Sequence, residues 1–205
     1  MEDTIHNRSV EFFETQFQKQ VRDKEYELNP FEKLALDYLQ GEVLDLGSGL
    51  GNLSLEAGRR GHCVVAVDAS PTAVTRINTD AHREGLSVRA IQADIESWSV
   101  DRPYDTIVAI GLLMFFRCET ALKLLRAIQE SVKSGGRAIV NALIEGTTYM
   151  GMFDADNYCL FRRNELEQRF TGWTILESRY QTFPAPEGTR KEFSTVIAER
   201  SRRKS

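Results

Sequence analysis

Histidine, cysteine, tryptophan and proline are scarce in this 205-residue chain, at three, three, two and five copies. The histidines His6, His62 and His82 and the cysteines Cys63, Cys118 and Cys159 lie far apart, with no metal-ligand spacing, so no metal site is expected. Cysteines so separated also show no disulfide framework and read as thiols of a reducing compartment. No apolar run approaches membrane-spanning length, and the polar, acidic opening MEDTIHNRSVEFFE has no secretory pattern. The expectation is a cytoplasmic protein without membrane contact. A net charge of −4 with 41% hydrophobic residues points to neither disorder nor a basic nucleic-acid face. The one basic cluster, within residues 200–205, reads as a flexible tail after a single domain over residues 1–199. Either a monomer or a homodimer fits this composition.

What is present is concentrated in VLDLGSGLG, residues 43–51. A short apolar run with one acid, Asp45, passes into glycines at alternate positions, Gly47, Gly49 and Gly51. This pattern predicts a buried strand turning sharply into a helix, where glycine permits unusual dihedrals and close ligand approach. By itself it is also compatible with a tight turn that binds nothing. Asp45 sits awkwardly for a pyrophosphate, which favours a helix N-terminus free of competing negative charge, but it suits a ligand with an ammonium group. A second apolar run, residues 64–67, ends in Asp68, about 20 residues after the glycines, at the separation that places an acid against ribose hydroxyls. Together the two acids sketch a nucleoside with a cationic amino-acid tail.

The remaining chain alternates helix and strand. Val10, Phe12, Phe13 and Phe17 recur at helical spacing, and Asn29-Pro30 caps a second helix over 31–39, halted by Gly41. Helices are expected over 52–60, 71–83, 119–133 and 163–170, with Gly135-Gly136 stopping the third of these. Strands are expected over 87–92, 104–110 and 137–143, with a closing hairpin from 173–182 and 191–198 around a turn at 184–188. Asp94, just beyond the third strand, is a candidate for an exocyclic amine or for a turn cap. The α/β rhythm predicts a mostly parallel sheet covered on both faces.

VLDLGSGLG followed by VVAVDAS resembles the first two motifs of class I S-adenosylmethionine-dependent methyltransferases. The resemblance implies a three-layer Rossmann-like fold whose seven-stranded sheet ends in an antiparallel strand, with residues 1–40 as a helical lid. It implies S-adenosylmethionine as cofactor and S-adenosylhomocysteine as product. The expected cofactor contacts are Asp45, Gly47, Ser48, Gly49, Gly51 and Leu53 around the turn, Asp68 and Ala69 at the second strand tip, Asp94 and Ile95 after the third, and Ile110 after the fourth.

LLMFF at 112–116, KSGG at 133–136 and FRRNELEQRFTGWTIL at 161–176 are similar to the tellurite-resistance branch, which methylates chalcogen oxyanions. A small-molecule acceptor, an oxyanion or a thiol, is the implied substrate. Its pocket is expected at Tyr26, Leu113, Met114, Phe115, Tyr149 and Phe153. The branch's His-Arg pair is replaced by Thr182-Phe183, whereas its following arginine matches Arg190, the candidate catalytic residue. Softer acceptors need little proton removal, so no general base is required; His62 and His82 read as surface or packing residues, and His6 either as a base for an oxygen or nitrogen acceptor or as part of a disordered terminus. Two other readings compete: a methyltransferase-fold protein that binds cofactor or partner without chemistry, and an NAD-linked oxidoreductase, disfavoured by Asp45 and by the closing hairpin.

Overall fold

The computed structural model describes residues 8–202. His6 and the last three residues of the basic cluster lie outside them. Seven strands, β1 (Val43–Leu46), β2 (Val64–Asp68), β3 (Val88–Gln92), β4 (Tyr104–Ile110), β5 (Val132–Leu143), β6 (Thr174–Pro184) and β7 (Arg190–Glu199), form one sheet. Its order is β3-β2-β1-β4-β5-β7-β6. All pairings are parallel except those of β7, which runs antiparallel to both β5 and β6. This is the expected methyltransferase-type sheet.

The strand period of two divides the core between the sheet's faces. Leu44 and Leu46 of β1 join Ile107 and Ala109 of β4 in one apolar cluster, while Val43 and Val108 join another. Helices complete the layers: α1 (Arg8–Asp23), α2 (Pro30–Leu36), α3 (Asn52–Arg59), α4 (Pro71–Glu84), α5 (Cys118–Ser131) and α6 (Glu165–Arg169). Local chemistry sets several starts. Asn29 accepts from the backbone N–H groups of Phe31 and Glu32 while Glu32 returns a bond to the Asn29 N–H, forming a capping box ahead of Pro30. Ser70 caps α4 through the Ala73 N–H at 3.0 Å, with Pro71 as first helical residue. None of the described helices is long and apolar enough to cross a membrane.

Three expectations are corrected. Gly135-Gly136 does not stop a helix: α5 ends at Ser131 and both glycines lie inside β5. A side chain at Gly136 would meet the Asp105 carbonyl at 2.7 Å, so the glycine allows close passage of the neighbouring strand across a register shift. Arg200 is not part of a flexible tail, because its N–H donates to the Gly136 carbonyl and its guanidinium to the carbonyls of Gln129, Glu130 and Val132. Those carbonyls close α5 and open β5, where a cation is favoured. Finally, Cys118 and Cys159 form a disulfide, leaving only Cys63 free and exposed. The pairing follows from tertiary packing of the 145–164 segment over the start of α5, where the Cys159 N–H donates to the Met114 carbonyl and Arg117 donates to Asn157 and Asp156. Two of the three cysteines read as reduced thiols are thereby paired, which removes one of the grounds for expecting a reducing compartment.

Candidate active site

The sheet order reverses at β1, which lies between β2 and β4. Ligands of open α/β sheets bind beyond the carboxyl ends of strands at such a switch point. A cleft of about 1270 Å³ opens there. The turn after β1 is built from glycines with positive φ. Gly47, at φ +66°, leaves 2.8 Å between a would-be Cβ and Leu112, and Gly49, at +52°, leaves 3.3 Å to Phe17 of α1.

Asp68 ties this turn to the tip of β2. Its Oδ2 accepts the Gly49 N–H at 2.8 Å and its Oδ1 accepts the Ser70 N–H at 2.9 Å. Burial pushes its pKa upward, against the pull of these bonds. Asp45 is almost fully buried within β1, with Oδ2 accepting from Ser54 Oγ at 2.6 Å. Its pKa is raised to about 7, chiefly by burial, with the charges of Glu32 and Asp68 adding to it against the Ser54 bond. Ser48 Oγ is buried without a hydrogen-bond partner among the described residues. An orphaned hydroxyl, a carboxylate whose ionisation awaits a cation, and backbone bare enough for close approach all fit the amino-acid end of S-adenosylmethionine. Asp94 lines the same cleft, and its Oδ1 accepts the Glu96 N–H at 3.0 Å as a turn cap.

Ser48, Leu53, Ala69, Ile95 and Ile110 also line the cleft. Gly51 does not: at φ +73° it packs against α4, where a Cβ would stand 2.3 Å from Ile77 Cγ1. On the acceptor side, Met114, Phe115 and Tyr149 face the cleft. Leu113 is instead wholly buried in the core, and Phe153 lies behind Phe115 with centroids 5.3 Å apart. Tyr26 turns away because its ring stacks beneath the Arg76 guanidinium, 3.7 Å from the centroid. Arg190 also points out of the cleft, with Nε 2.7 Å from Glu192 Oε1 on the exposed side of β7.

Sequence reasoning missed Lys191, Asn141 and the ring pair Phe31 and Phe193, all of which line the cleft. Alternation along β7 could have shown that either residue 190 or 191 faces inward, but not which. The amphipathic first helix was legible, and it forms a wall: Phe13 meets Phe115 edge to face at 5.0 Å, and Ser9 Oγ donates to the Met152 carbonyl at 3.2 Å. Glu14 fixes it to the head of α4, accepting from Ser70 Oγ and Thr72 Oγ1, each at 2.5 Å.

Residues 43–136 match a family model described as a methyltransferase domain. Hemagglutinin 1 of Eikenella corrodens is 29% identical over 136 residues, spanning 66% of this chain and 45% of that protein. The probable S-adenosyl-L-methionine-dependent methyltransferase TehB of Haemophilus influenzae is 28% identical over 142 residues, spanning 66% of this chain and 47% of its own. The chain thus spans less than half the length of these curated relatives. The crystal structure of TehB from Haemophilus influenzae superposes with a TM-score of 0.74 at 21% identity, over 85% of this chain and 63% of that one. Residues 43–136 thus match a methyltransferase domain, and the chain is similar in sequence and in fold to the probable S-adenosyl-L-methionine-dependent methyltransferase TehB.

Proposed function

We propose that this chain is a methyltransferase that moves the methyl group of S-adenosylmethionine to a small-molecule acceptor. The observation that carries the reading is the convergence of Asp45, Asp68 and Asp94 on one cleft around the Gly47–Gly49 turn. Asp45 and Ser48 would hold the amino-acid end, Asp68 the ribose hydroxyls, and Asp94 with Ile95 the base. When bound, the cofactor supplies an electrophilic methyl on a sulfonium. The protein's task is then to align donor and acceptor and to keep water out. Helix α1 serves that task, with Phe13 and Phe17 over the cleft and Glu14 anchoring it to Ser70 and Thr72.

A chalcogen oxyanion or thiol acceptor rests on the resemblance to the tellurite-resistance branch. The walls of this cleft favour something larger and less polar. Phe183, at one position of the branch's His-Arg pair, packs edge to face on Phe31 at 5.5 Å, and Arg190 is occupied by Glu192 at the surface. Release of S-adenosylhomocysteine tests the function, using S-adenosylmethionine with thiols, selenite, tellurite, amines and arene carboxylates as acceptors. Product from one class supports the proposal. Cofactor binding without product from any class would favour the non-catalytic reading.

A further inference from the structure

On the acceptor side of the cleft, the half-buried cation Lys191 has no carboxylate partner among the described residues. Lys191 lies on β7 opposite Phe183 of β6, and because successive strand residues face opposite ways, it points inward where Arg190 points out. Among the described residues no carboxylate pairs with its ammonium. Its neighbour is the Tyr149 ring, with Nζ 4.8 Å from the centroid. Burial lowers the lysine's pKa and no nearby negative charge opposes that shift. A half-buried, unpaired ammonium costs desolvation free energy that a bound anion would recover.

The surroundings of this cation are aromatic. Phe31 and Phe193 stand 4.7 Å apart, Phe13 meets Phe115 at 5.0 Å, and Tyr149 lies beneath the amine. Near the end of β5, fully buried Asn141 lines the cleft and donates Nδ2 to Thr195 Oγ1 at 2.8 Å, while its Oδ1 has no partner among the described residues. The volume of about 1270 Å³ exceeds the roughly 300–1,000 Å³ of an ordinary ligand pocket, leaving room for a ring-sized molecule beside a nucleoside. A compact oxyanion would leave the rings uncovered.

We infer that the acceptor is an apolar, ring-bearing acid, its anionic group held by the Lys191 ammonium and its body among Phe13, Phe31, Phe115, Tyr149 and Phe193. This deepens the methyltransferase reading and rests on it only for what the cleft does with its ligand. Lys191 is a binding and specificity residue, with no proton transfer assigned to it.

The test uses two fluorescent probes of one shape, with S-adenosylhomocysteine present: 1-anilinonaphthalene-8-sulfonate, which carries an anion, and N-phenyl-1-naphthylamine, which does not. Lys191→Met is expected to weaken the sulfonate about tenfold and to leave the neutral probe unchanged, while Lys191→Arg keeps the sulfonate within about threefold of wild type. An unchanged sulfonate affinity in Lys191→Met overturns the inference. Equal loss of both probes does so too, by marking Lys191 as structural. Turnover of selenite or tellurite that survives Lys191→Met undiminished would also overturn it. Calorimetry with S-adenosylhomocysteine on the same preparations separates the two levels: cofactor binding with failed probe discrimination sinks this inference alone, and absent cofactor binding sinks the methyltransferase reading.

Discussion

Glu14, on the first helix, and Ser70, the cap of the helix after β2, meet at 2.5 Å across the mouth of the cleft. The same carboxylate takes Thr72 Oγ1 at 2.5 Å and Gln18 Nε2 at 2.9 Å. Burial works to raise the Glu14 pKa, but these hydrogen bonds outweigh it and hold the group below its usual range. The wall that α1 makes is therefore fastened by a charge-assisted contact at the tip of the strand carrying Asp68. Glu14→Ala should loosen that fastening and speed S-adenosylhomocysteine dissociation about 3- to 10-fold, since a hydrogen bond to a charged group contributes about 1.5–3 kcal/mol at most and exposure discounts it. Stopped-flow displacement of the bound product measures this rate. An unchanged rate would mean that α1 does not gate release.

Asp45 predicts a pH dependence whose sign is fixed by burial. Its folded pKa of about 7 lies above the ordinary carboxylate value of 3.8. The folded state therefore binds the extra proton, and this group's contribution to stability is fully present below about 4 and lost as pH rises towards 7. Relative to Asp45→Asn, the ligand-free protein should lose thermal stability across that window. A cationic ligand beside the carboxylate favours its charged form, so S-adenosylmethionine should bind more tightly as pH rises from about 6 to 8 in wild type only. Parallel melts and calorimetry of the two proteins across pH check both statements.

The disulfide between Cys118 and Cys159 predicts one reactive thiol, Cys63, in the unreduced protein and three after reduction and unfolding. With its ends 41 positions apart in the sequence, the link should stabilise the fold by about 3–4 kcal/mol from loop-closure entropy. Thiol titration gives the count, and denaturant melts of wild type and of Cys118→Ser, both without reductant, give the energy. Two equal melts would contradict the estimate.

Gly51 separates structural from ligand-facing glycines in one short turn. Gly51→Ala places a Cβ 2.3 Å from Ile77 Cγ1 at a positive φ, which should destabilise by about 2 kcal/mol or more. Gly49→Ala places its Cβ against Phe17 at 3.3 Å, on the cleft side, and should chiefly weaken cofactor binding. Melting temperatures and cofactor affinities of the two variants should therefore move in different proportions.

Legibility in the sequence tracked the range of the interactions involved. The β1 turn, Asp68 and Asp94 could be read because each sits at the end of an apolar run, where local pattern fixes which residue meets the cleft. Strand parity at the C-terminal hairpin could not: the short helical turn at Pro186–Gly188 sets the register that sends Lys191 inward and Arg190 to Glu192. Cys118 and Cys159 carried no spacing signal because the fold of the 145–164 segment brings them together. Tyr26 was drawn off by Arg76, a partner 50 positions away whose place on α4 only the fold reveals.

The central claim is that three strand-tip acids hold S-adenosylmethionine, and titration calorimetry of wild type and Asp68→Ala with S-adenosylhomocysteine tests it most directly. One site per chain is expected, weakened in the variant by about 1–3 kcal/mol for the lost ribose and Gly49 hydrogen bonds. Absence of binding heat and of any thermal shift in the wild type, or equal affinity in both proteins, would contradict it.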